Sequence, residues 1–307
     1  MTRPAATVVV PTRNHDDLIT GTLQALLASD HPDFTLLVID QSTDDRTRRS
    51  VAATARGDSW VLVASTATMG LSAARNLGVE LAATEVVAYT DDDCIVDRGW
   101  LAAILEEFEN PVIAAVYGRQ LPWEAGPRTG TETGVKADMK RKKYTSRIPP
   151  WYVGHGGNMA FRRADLLAVG GFDPLLGAGG FFGSNEDGDI AYRLLASGRR
   201  VVYTPKALDF HKHWKTWPAR QQMERAYGVG TGAQCAKYIR CGDLYAIRLF
   251  AAWTWWLGVR RMGAGLLKFR SPRPMYLAYC QLVYPWLGVW RSLRCQVDRR
   301  TMLYVER

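Results

Sequence analysis

Apolar residues in this chain fall into short unbroken runs that alternate with stretches of three-to-four-residue apolar spacing. Runs at residues 7–10, 34–39, 60–64, 86–90 and 112–117, rich in Val, Ile, Leu and aromatic side chains, read as strands. Between them, residues 18–28, 44–55, 71–81 and 100–108 carry helical spacing. Strands alternating with helices predict βαβ units: an α/β fold with a mostly parallel sheet flanked by helices. In such sheets ligands bind beyond the carboxyl ends of the strands. Farther on, the pattern predicts a short helix at 164–169, a helix at 190–196 and a short strand at 201–203. Residues 122–150, rich in Gly, Pro, Thr and charge, read as a long mobile loop.

Three of the predicted strands run into polar clusters at that carboxyl edge: Pro11-Thr12-Arg13-Asn14, Asp40-Gln41-Ser42-Thr43-Asp44-Asp45, and Asp91-Asp92-Asp93. The last is the most informative. Three adjacent carboxylates repel one another, and the fold gains nothing from them unless a cation sits among them. Mg²⁺ and Mn²⁺ prefer oxygen ligands, and Mg²⁺ commonly pairs one or two carboxylates with nucleotide phosphates. A solvated acidic turn is the alternative.

Composition adds a compartment and a division of the chain. The 47% hydrophobic content fits a sizeable core. Five scattered cysteines without a Cys-x-x-Cys pair suit a reduced intracellular environment, and residues 5–10 are too short for a signal-peptide core. The net charge of +9 is uneven: from Lys237 onward 13 Lys and Arg stand against 3 Asp and Glu, whereas the preceding residues hold 26 against 27. Two uncharged runs, 249–259 with three tryptophans and 274–290 with Pro285 inside, lie in that basic segment. A spanning helix needs about 20 apolar residues. These runs instead suggest a helical, aromatic and basic tail over 237–307 that lies on the cytoplasmic side of a membrane as a peripheral anchor. Packing on the catalytic part, or a homodimer through the tail, is the competing reading. The basic run at 140–143 reads as a solvated face, with a phosphate- or lipid-headgroup-binding role as the lesser alternative.

Eight segments in order, VVVPTRN, VIDQSTDD, MGLSAARNLG, TDDDC, GGNMAFRR, GGFDP, NEDGDIAYRL and YTPKALDFH, resemble the inverting family 2 glycosyltransferases. The resemblance covers about residues 8–213 and is to non-processive enzymes of the rhamnosyltransferase and cell-surface polysaccharide type. It implies a GT-A nucleotide-sugar-binding fold over 1–236, with a nucleotide-binding half near 1–120 and an acceptor half near 150–215. It further implies a divalent cofactor, Mg²⁺ or Mn²⁺, held by Asp91, Asp93 and His211, with His213 as the competing histidine. Pro11, Thr12, Asn14, Asp40, Ser42, Gly70, Arg75, Asp91 and Asp92 are implied on the donor side. A nucleoside-diphosphate sugar, UDP- or dTDP-linked, is the implied donor, and a glycan or lipid-linked sugar the acceptor. Gly156, Gly157, Asn158 and Glu186 are implied near the acceptor or transferred sugar, and Asp187 as the general base. Gly70 precedes a helix whose first N–H groups would face an anion, and Arg75 could equally pair with the acidic edge. Asp40 could be a turn aspartate, and the Glu186-Asp187 pair could simply suit a helix N-terminus.

Other classes lack their marks. A nicotinamide-dependent dehydrogenase needs Gly-x-Gly-x-x-Gly after the first strand, which VVVPTRNHDD does not supply. A nucleotidyltransferase would carry a glycine- and basic-rich triphosphate loop near the N-terminus. An inactive nucleotide-sugar-binding protein would have lost Asp91, Asp93 or Asp187, and all three are present. No nucleic-acid partner is expected. Processive synthases carry Gln-x-x-Arg-Trp, whereas here Gln222-Met223-Glu224-Arg225 is followed by Ala226.

Overall fold

The computed structural model describes residues 6–31, 33–58, 60–123, 131–132, 134–212, 214–269 and 272–305. The elements, in chain order, begin with β1 (Ala6–Thr12), α1 (Ile19–Leu27), β2 (Phe34–Asp40), α2 (Arg46–Ala55), β3 (Val61–Ser65) and α3 (Leu71–Leu81). Next come β4 (Val86–Tyr89), β5 (Cys94–Val96), α4 (Trp100–Phe108), β6 (Ile113–Pro122), β7 (Thr131–Glu132) and β8 (Lys142–Tyr144). They are followed by β9 (Met159–Arg162), α5 (Arg163–Ala168), α6 (Glu186–Ala196), β10 (Arg200–His211) and β11 (Trp214–Lys215). The tail holds α7 (Trp217–Arg240), α8 (Tyr245–Trp253), α9 (Arg260–Ala264), α10 (Pro272–Ser292), β12 (Gln296–Asp298) and β13 (Leu303–Val305).

Among the described residues one mixed sheet runs in the order β3-β2-β1-β4-β9-β6-β10-β5, with β8 also on β10. The strands β3, β2, β1 and β4 are mutually parallel, so Thr12, Asp40 and the residues after Tyr89 emerge on one edge. Side chains alternate across this sheet. Val8, Val10, Leu36 and Val38 pack with Ile19, Leu23, Trp100 and Ile104 on one face. Val9, Leu37, Ile39 and Tyr89 pack with Ala74, Val79, Leu166 and Ile190 on the other. Burial on both faces is why β1 reads as an unbroken apolar run rather than an alternating one.

Three expectations need correction. The strand expected at 201–203 continues to His211: after an irregularity between Thr204 and Leu208, β10 resumes its pairing with β6 and also pairs with β5. Pro205 reads as a strand breaker in sequence, but a bulge accommodates a residue without an N–H. The expected mobile loop at 122–150 instead supplies strands: β6 runs to Pro122, β7 pairs with β11, and β8 pairs with Val201–Tyr203. The basic run therefore lies at the end of β10 remote from His211, where Arg141 pairs with Glu107 at 2.6 Å and Lys142 with Asp138 at 2.9 Å. The boundary expected at 236/237 falls inside α7. Lys237, the start of the expected anchor, is fully buried and donates to Asp173 at 2.6 Å and Asp189 at 2.7 Å.

The tail packs back on the rest of the molecule through close helix contact. A Cβ built on Gly232 would lie 1.8 Å from the Pro285 carbonyl oxygen, and one on Gly288 2.0 Å from that of Val229. Only glycine permits α7 and α10 to cross this closely. Beyond α10, Tyr304 donates its hydroxyl to the Ala233 carbonyl at 2.7 Å, and its backbone N–H donates to Asp173 at 2.9 Å. No described helix is long and apolar enough to cross a membrane.

Candidate active site

The chain leaves β4 at Tyr89 and turns before β5, so three successive carboxylates project from one turn in three directions. Asp91 accepts from Arg75 Nη2 at 3.0 Å. Asp92 turns inward, accepting from the Thr12 hydroxyl at 2.6 Å and lying 3.0 Å from His15 Nδ1, while its carbonyl accepts from Thr22 at 2.8 Å. Asp93 lies 3.4 Å from His211 Nε2, because the antiparallel register sets His211 opposite Cys94. The repulsion expected of three adjacent carboxylates is thus met by three separate partners.

The charges follow from this geometry. Burial by itself raises Asp93, but His211, then Lys215 and His15, outweigh it and hold the carboxyl below its ordinary value. Burial likewise opposes protonation of His211, and Asp93 overcomes it, so the imidazole is raised. Burial raises Asp91, with Arg75 offsetting part of the effect. Ligand atoms of Asp93, Cys94 and His211 lie within 4.8 Å of one another. Burial, with Asp209, Asp93 and Asp91 nearby, pushes the Cys94 thiol well above its usual range. Asp93 and His211 offer a carboxylate oxygen and an imidazole nitrogen of the kind a divalent ion such as Mn²⁺ or Mg²⁺ takes, whereas Asp91 is engaged by Arg75 and stands outside that group of ligand atoms. His213 lies outside the described residues.

Arg75 joins the two halves of the cleft. It is fully buried; Nη1 donates to Glu186 at 2.8 Å, and Nη2 to Asp91 and, at 3.1 Å, to the Gly156 carbonyl. A Cβ on Gly156 would stand 2.7 Å from Arg75 Nη2, and one on Gly157 2.8 Å from Gln120 Nε2 and 3.1 Å from Asp91 Oδ2. The glycines are needed here because the guanidinium and the carboxylate pass so close to the backbone.

Asp187 occupies the first turn of α6, which begins at Glu186 rather than at 190. Its Oδ2 accepts the Gly156 N–H at 2.9 Å and its Oδ1 the Gly188 N–H at 2.7 Å, which fixes the carboxylate plane. Glu186 beside it is pushed up to about 7 by burial and by the charge of Asp187, against the pull of Arg75.

The remaining expected site residues divide. Pro11, Thr12, Gly70, Arg75, Asp91, Asp92, Asp93, Gly156, Gly157, Glu186, Asp187 and His211 line one cavity of about 920 Å³. Asn14, Asp40 and Ser42 stand just behind it and tie the first two loops together: Ser42 Oγ accepts the Asn14 N–H at 2.8 Å, and Asp40 accepts the Ser42 N–H at 2.9 Å. Asn158 is corrected. It is fully buried, accepts from the Trp100 indole at 2.8 Å and donates to Asp209 at 3.0 Å, so it braces β9 against α4 and β10 instead of touching a sugar. The first N–H of α3 is also taken, because Leu71 donates to the Ala178 carbonyl at 2.8 Å.

Sequence reasoning missed His15, Gln41, Gln120, His155, Lys215 and Tyr227, all of which line the cavity. Gln41 had a visible signal in its place beside Asp40, and its amide donates to the Gly70 carbonyl at 3.0 Å. Tyr227 had none. It reaches the cavity because Ser184 donates to the Ala226 carbonyl at 2.8 Å and pins α7 beside the loop before Asp187.

A parallel half-sheet with an acidic rim, extended by antiparallel strands that carry the second half of the cleft, is the GT-A arrangement. The glycosyl transferase family 2 model matches residues 7–170, and the chain belongs to that family. The pre-mycofactocin glycosyltransferase of Mycobacterium tuberculosis is 31% identical over 174 residues, 54% of this chain. That match spans about a third, 35%, of the relative's length. The O-antigen chain rhamnosyltransferase WbaN of Salmonella anatum is 28% identical over 256 residues, covering 77% of this chain and 75% of its own. Among solved structures, a Pyrobaculum calidifontis mannosyltransferase in complex with GDP-Man and Mn²⁺ superposes with a TM-score of 0.65 at 20% identity, covering 95% of this chain and 88% of its own. GalNAc-T7 with UDP, GalNAc and Mn²⁺ gives 0.55 at 17% identity, covering 74% and 48%.

Proposed function

We propose that the chain transfers one sugar from a nucleoside-diphosphate donor to a hydroxyl of a lipid-linked or cell-surface glycan, with inversion at the anomeric carbon. The observation that carries this reading is the single cavity in which Asp91, Asp93 and His211 at one end meet Glu186 and Asp187 at the other, bridged by Arg75. The acceptor oxygen attacks the anomeric carbon from the face opposite the diphosphate. Its proton passes to Asp187, and the bond to the diphosphate breaks with the electron pair leaving on the diphosphate oxygen. The two N–H groups on Asp187 orient it for this role, as a general base requires geometry before basicity. Glu186 orients the acceptor, and Arg75 holds both carboxylate ends at a fixed separation.

Asp91, Asp93 and His211 would hold Mn²⁺ or Mg²⁺, which when bound neutralises charge on the departing diphosphate. Pro11, Thr12 and Gly70 form the nucleoside end, with Asn14, Asp40 and Ser42 behind them and Asp92 fixing their loop. Asp40, buried behind the cavity and accepting the Ser42 N–H, shapes this loop, and the donor in this reading is a UDP- or dTDP-sugar. Gly156 and Gly157 let Arg75, Gln120 and Asp91 pass against the backbone at the end of the cleft where the transferred sugar would lie. The tail completes the molecule as a peripheral, membrane-facing part on the cytoplasmic side. Trp255, Trp256, Trp286 and Trp290 are half exposed or more, and Arg260 and Arg294 stack on Trp256 and Trp290 at 4.5 and 3.7 Å. Such pairs suit a membrane–water interface.

Asp187→Asn tests the central step. The near-isosteric amide cannot take the proton, so turnover should fall about 10²–10⁴-fold with donor affinity unchanged. A parallel loss of donor affinity would assign Asp187 to binding instead. NMR of the product linkage should show inverted configuration.

A further inference from the structure

Resting on the transferase reading above, we propose that α7, the turn at residues 150–152 and α8 form an acceptor subsite for an amphipathic glycoside, a sugar ring carried on a hydrocarbon stem. The wall of the cavity beyond Asp187 is not made by the sheet. It is made by Gln222, Met223, Ala226 and Tyr227, which recur on one face of α7, and by Trp151 and Trp253.

This wall is rigid. Beyond the Ser184 contact, Asn185 donates to Thr231 and to Gln234, each at 3.1 Å, so α7 is pinned to the loop that presents Asp187. Trp151 and Trp253 meet edge to face with ring centroids 5.2 Å apart. The Trp253 indole donates to Gln281 at 3.0 Å, and Gln281 donates to the Glu224 carbonyl at 3.0 Å, locking α8 and α10 to α7. Tyr227 is 37% exposed and lines the cleft.

The chemistry of the wall selects the ligand. A pyranose has a C–H face that packs on aromatic rings and a hydroxyl rim that an amide such as Gln222 can bind. Aromatic and thioether surface gives a diphosphate no partner, and Arg220, which also lines this wall, is paired with Glu224; the acidic turn and the first two loops lie at the opposite end of the cavity. The chain leaves Trp253 directly into residues 254–259, where Trp255 and Trp256 are 57% and 50% exposed. Apolar surface for a hydrocarbon stem thus follows the cavity-lining Trp253 by only two and three residues in the chain.

Binding can be measured without turnover. With the full chain, tryptophan fluorescence is titrated with octyl β-D-glucoside, octyl β-D-galactoside and octyl α-D-mannoside below micelle formation, and with the corresponding methyl glycosides. At least one octyl glycoside should bind saturably and about tenfold or more tighter than its methyl partner. Tyr227→Ala and Trp151→Ala should each weaken it about tenfold while UDP binding with Mn²⁺ stays intact. Trp286→Ala, outside the cavity, should not change it. If Trp151→Ala loses UDP binding through misfolding, Tyr227→Ala decides. Equal affinity for octyl and methyl glycosides, or octyl binding that ignores Tyr227→Ala, overturns the proposal. Glycoside binding in the expected pattern without turnover on any donor would instead count against the transferase reading and leave the subsite standing.

Discussion

The three adjacent carboxylates of the acidic turn illustrate how residue type and residue role separate. Asp91, Asp92 and Asp93 are alike in sequence and all line the cavity, yet Asp92 is tied to Thr12 and His15, Asp91 to Arg75 and Asp93 to His211. Asp93→Ala should therefore abolish Mn²⁺-dependent UDP binding in calorimetry and keep a cooperative melt, since it relieves charge crowding and empties no core. A second outcome concerns pH. Burial first of all pushes Glu186 from an ordinary 4.5 to about 7, and burial pushes Asp209 from 3.8 to about 7. Both bind protons more tightly folded than unfolded, so stability should fall as pH rises from roughly 4.5 through 7. Glu186→Gln should flatten that decline in melting temperature without removing it, because Asp209 remains. An unchanged slope would mean that Glu186 is ionised throughout the range.

At the scale of elements, α7 matters most. Its first part lines the cleft, its middle crosses α10, and its end buries Lys237 against Asp173 and Asp189. Removing a buried cation leaves buried carboxylates uncompensated, so Lys237→Met should cost about 3–5 kcal/mol by denaturant unfolding. Truncation at Lys237 should for the same reason yield an unstable chain instead of a free catalytic domain. The basic excess of the tail is correspondingly smaller at the surface than in composition. Besides Lys237, Arg240 is bound to the carbonyls of Ser292 at 2.6 Å and Cys295 at 2.9 Å.

For the whole molecule, the exposed tryptophans and the remaining cations share the tail. Replacing Trp255, Trp256 and Trp286 together by Ala should reduce sedimentation with anionic vesicles while leaving UDP binding intact. Raising salt should weaken the binding of the unaltered chain only in part, because screening acts on charges and not on ring insertion. Unaltered chain that ignores vesicles at low salt, but self-associates through these tryptophans, would assign the surface to a second copy.

The sequence by itself determined the parallel half of the sheet, because β1, β2 and β4 are buried on both faces and must be continuous apolar runs. It also determined the acidic rim and the Glu186-Asp187 pair, since these charges lie at element ends, where turn and cap chemistry is local. Non-local contacts decided the rest. That His211 reaches Asp93 depends on a bulged strand pairing with β5, and that Asn158 leaves the site depends on partners 49–58 residues away in the chain. Arg75 could be read as a donor ligand or a scaffold, and only its burial between Asp91 and Glu186 settles which groups it holds. Tyr227 and Trp253 join the cleft through helix crossings that glycines permit, and no periodicity in the chain records which surface a helix will meet.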